Sequence, residues 1–132
     1  MSPTRRGKEI SVRLSDDLGS GATLFDRLKD AGIDVVASCC YQIGGEAYFT
    51  IVADQPERAL AVLKEHKLTV EQQDVLLVEM PNTAGSFAGV LQQIAALGVD
   101  VRSAYATTTA GPVAVAVLKT ADDDRVIEQI ED

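Results

Sequence analysis

Residues 78–107 read VEMPNTAGSFAGVLQQIAALGVDVRSAYAT, and this stretch decides the fold. Its apolar residues begin in a strand-like run, residues 81–85 break that run, and from Ser86 onward apolar residues recur every three or four positions. The change of period predicts a strand, a loop and an amphipathic helix over residues 86–97. Gly98 follows where a left-handed residue ends a helix, and a second strand is predicted over residues 100–107.

The sequence also repeats itself. A shift of 66 residues lays residues 9–66 over residues 75–132 without a gap. Val12 then falls on Val78, and the loop pair Gly19-Ser20 falls on Gly85-Ser86. Because the shared glycines stand at turns, the halves are expected to have the same fold plan. We therefore predict two small domains, residues 8–73 and residues 74–132.

Each half predicts the same order of elements. The first half predicts strands at residues 8–14, 34–41, 47–53 and 68–70, with helices at residues 20–31 and from Pro56 onward. The second half predicts strands at residues 75–80, 100–107 and 113–119, with helices at residues 86–97 and 122–131. The order βαββαβ predicts an α+β fold of two ferredoxin-like modules in tandem, with antiparallel sheets and helices on one face.

The second module lacks a last strand in this reading. The sheet edge that results would be covered by residues 71–74, by another chain or by residues outside this sequence.

The alternation of side chains along the strand at residues 113–119 predicts its two faces. Under the 66-residue shift Val113, Val115 and Val117 match Ala47, Phe49 and Ile51, and are expected to face the helices. The opposite face would then carry Ala114, Ala116 and Leu118, and in the first module Tyr48, Thr50 and Val52. Such an apolar second face favours burial in a homodimer, although Ser11, Arg13 and Glu79 on that face argue against it.

Charge and composition exclude several classes of protein. The net charge of −8 repels phosphate backbones, so we expect no nucleic-acid partner for the folded body. The basic residues Arg5, Arg6 and Lys8 form an N-terminal arm that is expected to fray. No apolar run reaches the roughly 20 residues of a membrane span, and no signal-peptide core is present. A cytoplasmic protein without a membrane partner is expected.

The sequence offers little for catalysis or metal binding. Cys39 and Cys40 are adjacent, so on a strand they point to opposite faces, and we predict two reduced, packed thiols. His66 stands at the end of a predicted helix without a catalytic partner, and we expect it at the surface. Asp16 and Asp17 are neighbours in a turn, where aspartates are common turn formers. No catalytic residue, metal or cofactor is expected.

The best candidate site is the loop that leads into the helix of the second half. It consists of Asn82, Thr83, Ala84, Gly85, Ser86 and Phe87. A helix start offers free backbone N–H groups, and beside Asn and Ser side chains it can hold a small carboxylate. Simple capping of the helix by Ser86 explains the same residues equally well.

The quoted stretch resembles the ACT domain pattern: a strand, a loop containing Asn or Asp, a glycine, a leucine-rich helix, a second glycine and another strand. Residues 10–64 resemble the pattern more weakly. The resemblance covers nearly the whole chain and implies a standalone tandem ACT protein. Such proteins bind amino acids or other small metabolites and regulate enzymes of amino-acid metabolism. The alternative is a ligand-free module that docks onto an enzyme through its sheet face or edge.

The resemblance also implies where the ligand lies, between the loop of one module and the second strand of the other. For the main site this adds backbone groups of Ala37, Ser38 and Cys39 to the loop at residues 82–87. For a second, weaker site it implies Asp16, Asp17, Gly19, Ser20, Ser103, Ala104 and Tyr105. The family commonly has a proline before the loop glycine, where this chain has Ala84 and Leu18. Since Asp16 and Asp17 repel a carboxylate, the second site is expected to be degenerate or to hold an ammonium group.

Overall fold

A computed structural model describes residues 4–15, 19–108 and 110–130 of the chain. The described residues form six strands and four helices, which confirms the α+β class. In chain order these are β1 (Thr4–Ser15), α1 (Ser20–Asp30), β2 (Val35–Ile43), β3 (Glu46–Ala53), α2 (Pro56–Glu65), β4 (Thr69–Pro81), α3 (Ser86–Ala96), β5 (Val101–Thr108), β6 (Val113–Thr120) and α4 (Asp123–Gln129).

The chain divides into two compact units. The first unit is Lys8–Gln73, and the second combines residues 4–7 with residues 74–130. The strand order is β2-β3-β1-β4 in the first unit and β1-β4-β6-β5 in the second. β1 and β4 therefore each contribute a segment to both units, and each unit contains four strands and two helices.

The N-terminal arm is part of a strand, so the prediction that it frays is wrong. Thr4 is buried, and the guanidinium of Arg6 forms an exposed ion pair with the carboxylate of Asp124. The side chain of Leu77 covers Gly7 so closely that a Cβ there would lie 2.8 Å from Leu77 Cδ1. Residues 4–7 supply the edge strand that the second unit was predicted to lack, because β1 is the neighbour of β4.

Residues 71–74 were predicted to join the modules or to cover that edge. They lie instead inside β4, which runs without interruption from Thr69 to Pro81. A single long strand thus replaces the predicted strand, connection and strand.

Each unit has its own core between the helices and one face of its strands. In the first unit the core is Ile10, Val12, Leu14, Leu24, Leu28, Ile33, Ile51, Ala53, Ala59 and Leu63. In the second it is Leu76, Val78, Met80, Val90, Ile94, Val99, Ala114, Ala116, Leu118, Val126 and Ile130.

The predicted faces of β6 are reversed. Leu14 pairs with Ala47 in the first unit, and Met80 pairs with Ala114 in the second. Residues 14 and 80 differ by 66, whereas residues 47 and 114 differ by 67, so the connection between β5 and β6 contains one extra residue. Because side chains alternate along a strand, a shift of one residue turns every side chain to the other face.

Ala114, Ala116 and Leu118 consequently lie in the core of the second unit, against the helices. Val113 is half exposed on the opposite face, at 49%. In the second unit the apolar face from which a homodimer was inferred is therefore a core face, and this part of the argument for a homodimer no longer holds.

Candidate functional site

The loop before α3 is held by hydrogen bonds to the connection between β5 and β6. The backbone N–H of Asn82 donates to the carbonyl oxygen of Pro112 at 2.9 Å, and Asn82 Nδ2 donates to the carbonyl oxygen of Gly111 at 2.9 Å. These bonds are possible because the end of β4 pairs with the start of β6, at Pro81 and Val113. The loop is thus fixed on both sides of Asn82.

The helix start leaves its N-cap position without a side-chain acceptor. The N-cap residue is Gly85, with φ 87°, and it makes no side-chain cap hydrogen bond. The hydroxyl groups of Ser86 and Thr83 lie 2.9 Å apart and bond to each other. Ser86 therefore does not occupy the N-cap position that the capping alternative assigns to it, and the N–H groups of the first turn are not capped by a side chain.

A pocket of about 280 Å³ opens between this loop and β5. It is lined by Met80, Pro81, Asn82, Thr83, Gly85, Ser86, Phe87, Ala88, Ala106, Thr107, Thr108 and Ala114. None of these lining residues is charged. The pocket combines an apolar wall with the amide of Asn82 and several hydroxyl groups, as small-molecule sites do.

The two units take an aromatic ring from different elements, and in the second unit this ring is that of Phe87, beside the pocket. Phe87 corresponds to Gly21 in the first unit, where a Cβ would lie 2.7 Å from the ring of Phe49. Phe49 in turn corresponds to Ala116 of β6 under the 67-residue shift. The first unit thus supplies an aromatic ring from its strand, and the second supplies one from its helix beside the pocket.

The structure brings together most of the predicted loop site. Asn82, Thr83, Gly85, Ser86 and Phe87 all line the pocket, whereas Ala84 belongs to the loop but not to the lining. Ala37, Ser38 and Cys39, the other predicted members, lie in β2 of the first unit, where they pair with Val52, Ile51 and Thr50.

Three lining residues of β5 were missed: Ala106, Thr107 and Thr108. The sequence does contain a signal for them. In a βαββαβ unit the end of the first strand pairs with the start of the third, so the turn at Gly111-Pro112 and the end of β5 must lie beside the loop.

The corresponding region of the first unit has a different character. Asp16 and Asp17, predicted there, lie outside the described residues. Gly19 has the same φ of 87° as Gly85, and with Ser20 it lines a pocket of about 450 Å³. The remaining lining residues are Arg13, Leu14, Ser15, Thr23, Arg27, Lys67, Leu68 and Thr69. Ser103, Ala104 and Tyr105 lie in β5 of the second unit and do not belong to this lining.

The cysteine and histidine side chains take no part in either pocket. Cys40 is exposed rather than packed, and Cys39 is partly buried. His66 is exposed and is the C-cap residue of α2, which confirms its predicted place at the surface. Among residues 4–15, 19–108 and 110–130, no group of three or more His, Cys, Asp or Glu side chains is arranged to hold a metal ion. No helix in these ranges is long and apolar enough to cross a bilayer.

Solved structures with the same fold include protein BT0572 and two regulatory subunits of aspartate kinase. Protein BT0572 from Bacteroides thetaiotaomicron aligns with a TM-score of 0.88 at 24% identity, over 97% of this chain and 88% of that one. The regulatory subunit of aspartate kinase from Thermus thermophilus, in its ligand-free form, aligns with a TM-score of 0.69 at 15% identity, over 97% and 93%. The corresponding subunit from Thermus flavus gives 0.64 at 18% identity, over 96% and 91%. At these identities the likeness is one of fold.

The sequence itself decides the family. None of the curated proteins compared with it matches significantly. A family model described as an ACT domain pair matches residues 7–131, nearly the whole chain. The chain therefore belongs to the ACT domain pair family.

Proposed function

We propose that this protein is a regulatory protein that binds a small amino acid in the pocket beside α3 and thereby alters its action on an enzyme of amino-acid metabolism. The main support is the pocket itself. Its lining brings together the start of α3, the amide of Asn82 and the ring of Phe87, and Gly85 at the N-cap of α3 makes no side-chain cap hydrogen bond. The fold likeness to two regulatory subunits of aspartate kinase supports the regulatory role.

The chemistry of the lining suggests the kind of amino acid. The N-terminal end of α3 would receive the α-carboxylate, because its N–H groups and helix dipole favour an anion. Thr108 pairs with Ala114 and so lies on the strand face that meets the helices, where its hydroxyl group can accept from an α-ammonium group. Since the lining residues carry no charge and the volume is about 280 Å³, the ligand side chain should be small and uncharged.

Ala37, Ser38 and Cys39 remain predicted contributors by resemblance, and the weaker site of the first unit remains a prediction as well. The described side chains around Gly19 do not favour an ammonium ligand there, because Arg13, Arg27 and Lys67 are cationic.

A homodimer also remains a proposal, which light scattering would test.

A matched pair of glycine variants tests the proposal. Gly85 and Gly19 have the same φ of 87°, and a Cβ at either position would meet no atom within 4 Å. Gly85→Ala and Gly19→Ala should therefore lose similar stability, about 1 kcal/mol each, through backbone strain alone. Only Gly85→Ala should also weaken amino-acid binding, by tenfold or more, because only its loop borders the proposed site.

Binding would first be found by a thermal-shift screen of the twenty amino acids on the full chain. A ligand present at 100 times its dissociation constant adds about 2.7 kcal/mol to the stability. Titration calorimetry of the best ligand then compares the two variants. Equal losses of affinity in both variants would refute the assignment to the second unit.

The alternative function, a ligand-free docking module, is favoured by one observation. β2 is an edge strand of the first unit and exposes Tyr41 at 47% and Ile43 at 62%. The rings of Tyr41 and Tyr48 stack with centroids 5.5 Å apart, which makes this patch flat. If no amino acid raises the melting temperature in the screen, docking through this edge becomes the better explanation.

A further inference from the structure

The pocket of the first unit is lined by three cationic side chains, although the protein as a whole has a net charge of −8. Arg13, Arg27 and Lys67 come from β1, α1 and the connection after α2. The hydroxyl-bearing residues Ser20 and Thr69 lie on the same lining, as does Thr23, whose hydroxyl donates to the carbonyl oxygen of Gly19 at 3.1 Å. Three separate segments thus bring positive charge and hydrogen-bonding groups to one cavity of about 450 Å³.

Two of these cations are not neutralised within the described part of the chain. Arg13 Nε forms an ion pair with Glu46 Oε2 at 3.0 Å. Arg27 and Lys67 form no ion pair with any described residue. Cations that share a concave surface without counter-charges raise the local concentration of anions.

The backbone of Lys67 is in a conformation that disfavours lysine. Its φ is 60°, and among the described residues it is the only non-glycine with positive φ. At the corresponding ends of α1 and α3 the chain places Gly32 and Gly98, each with φ 73°. The hydrogen bonds are of the same kind, since the N–H groups of Lys67 and Gly32 each donate at 2.9 Å to the carbonyl oxygen three residues earlier. A strained residue at a cavity points to a role for its side chain.

The second unit does not repeat this set of charges. Under the 66-residue shift Arg13 corresponds to Glu79 and Arg27 to Gln93. The glycine and serine at the helix start are kept as Gly85 and Ser86. The shared fold therefore does not require the cations, and they distinguish the first unit from the second.

We propose that this pocket binds a phosphate-bearing small molecule, a ligand distinct from the amino acid proposed for the second unit. Arginine, lysine and hydroxyl groups are the donors that suit a phosphate dianion, and the start of α1 adds backbone N–H groups to the same lining. A cavity of about 450 Å³ leaves room for an organic group attached to the phosphate.

The test uses titration calorimetry and thermal shift on the full chain, at constant ionic strength set with NaCl. The probes are inorganic phosphate and ribose 5-phosphate, and the one that binds more tightly identifies the source of the phosphate group.

Arg27→Gln should weaken binding at least tenfold. Lys29→Gln is the matched control, because Lys29 lies on the same helix, is paired with Asp26 and does not line the pocket. It should change affinity less than twofold, since that charge is exposed and screened.

Lys67→Gly separates the proposed role from a merely structural one. This variant relieves the left-handed strain, so its melting temperature without ligand should rise by about 2–4 °C. Its affinity for the phosphate probes should nevertheless fall at least tenfold.

Three results would overturn the proposal. The first is the absence of saturable binding of either probe up to about 20 mM. The second is equal weakening by Arg27→Gln and Lys29→Gln, which would show a nonspecific charge effect. The third is wild-type affinity in Lys67→Gly, which would place the anion elsewhere.

Discussion

Gly21 lies in α1 and Gly89 lies in α3, the first helix of each unit. Only Gly89 has room for a side chain. A Cβ at Gly21 would lie 2.7 Å from Phe49 Cζ, whereas a Cβ at Gly89 would meet no atom within 4 Å. Neither has a positive φ. The ring of Phe49 also makes an edge contact with Phe25, with centroids 5.6 Å apart, which restricts its movement. Gly21 is thus required by packing, whereas Gly89 is not.

We predict opposite effects of the same substitution at these two positions. Gly21→Ala should lower the free energy of unfolding by about 1–3 kcal/mol, because it overpacks the core. Gly89→Ala should raise it by about 0.4–1 kcal/mol, because alanine loses less backbone entropy on folding. Urea denaturation of both variants measures this. Phe49→Leu should recover part of the loss in Gly21→Ala, and a lack of recovery would contradict the proposed contact.

At the scale of elements, the register of β6 decides which residues form the core of the second unit. β2 and β3 are joined by a two-residue turn, Gly44-Gly45, with φ 58° and 85°. Relative to that turn, the connection between β5 and β6 shifts the pairing by one residue, since Gln42 pairs with Ala47 whereas Thr108 pairs with Ala114. Residues 113–118 of β6 are small or branched apolar residues on both faces, so the alternation of this run is compatible with either register. The pairing with β4 selects the register in which Ala114, Ala116 and Leu118 meet the helices.

Polar substitutions on the two faces of β6 should therefore differ in cost. Ala116→Ser places a hydroxyl in a fully buried position and should lower the free energy of unfolding by about 1–3 kcal/mol. Val113→Thr, at a half-exposed position, should change it by no more than about 0.5 kcal/mol. Chemical denaturation compares the two. A larger loss in Val113→Thr would restore the register predicted from the gapless repeat.

At the scale of the whole molecule, the fourth strand of the second unit comes from the start of the chain. β1 contributes residues 4–7 to the second unit and the rest of its length to the first. The second unit therefore cannot be completed by residues 74–132 alone. The first unit, by contrast, is one continuous segment, Lys8–Gln73.

Deletion of residues 1–7 should destabilise the second unit. Loss of the edge strand removes its hydrogen bonds to β4 and uncovers Leu77, at a cost of roughly 2–4 kcal/mol when each bond contributes about 1 kcal/mol. Hydrogen exchange should rise in the second half of β4. Deletion of residues 1–3 is the control, because it keeps β1 from Thr4 onward. Unchanged exchange in the longer deletion would mean that residues 4–7 do not support the second unit.

Although it divided β4 into two strands and missed residues 4–7 of β1, the sequence by itself determined the four helices, most of the strands and the loop that lines the pocket. These follow from local properties: the period of apolar residues, and the positive φ that glycine tolerates at Gly32, Gly85 and Gly98. Tertiary structure alone decided the face of β6, the origin of the second unit's edge strand and the place of β5 in the pocket. Each depends on which strands pair across long sequence separations, and a run that is apolar on both faces, as residues 113–118 are, does not specify its own register.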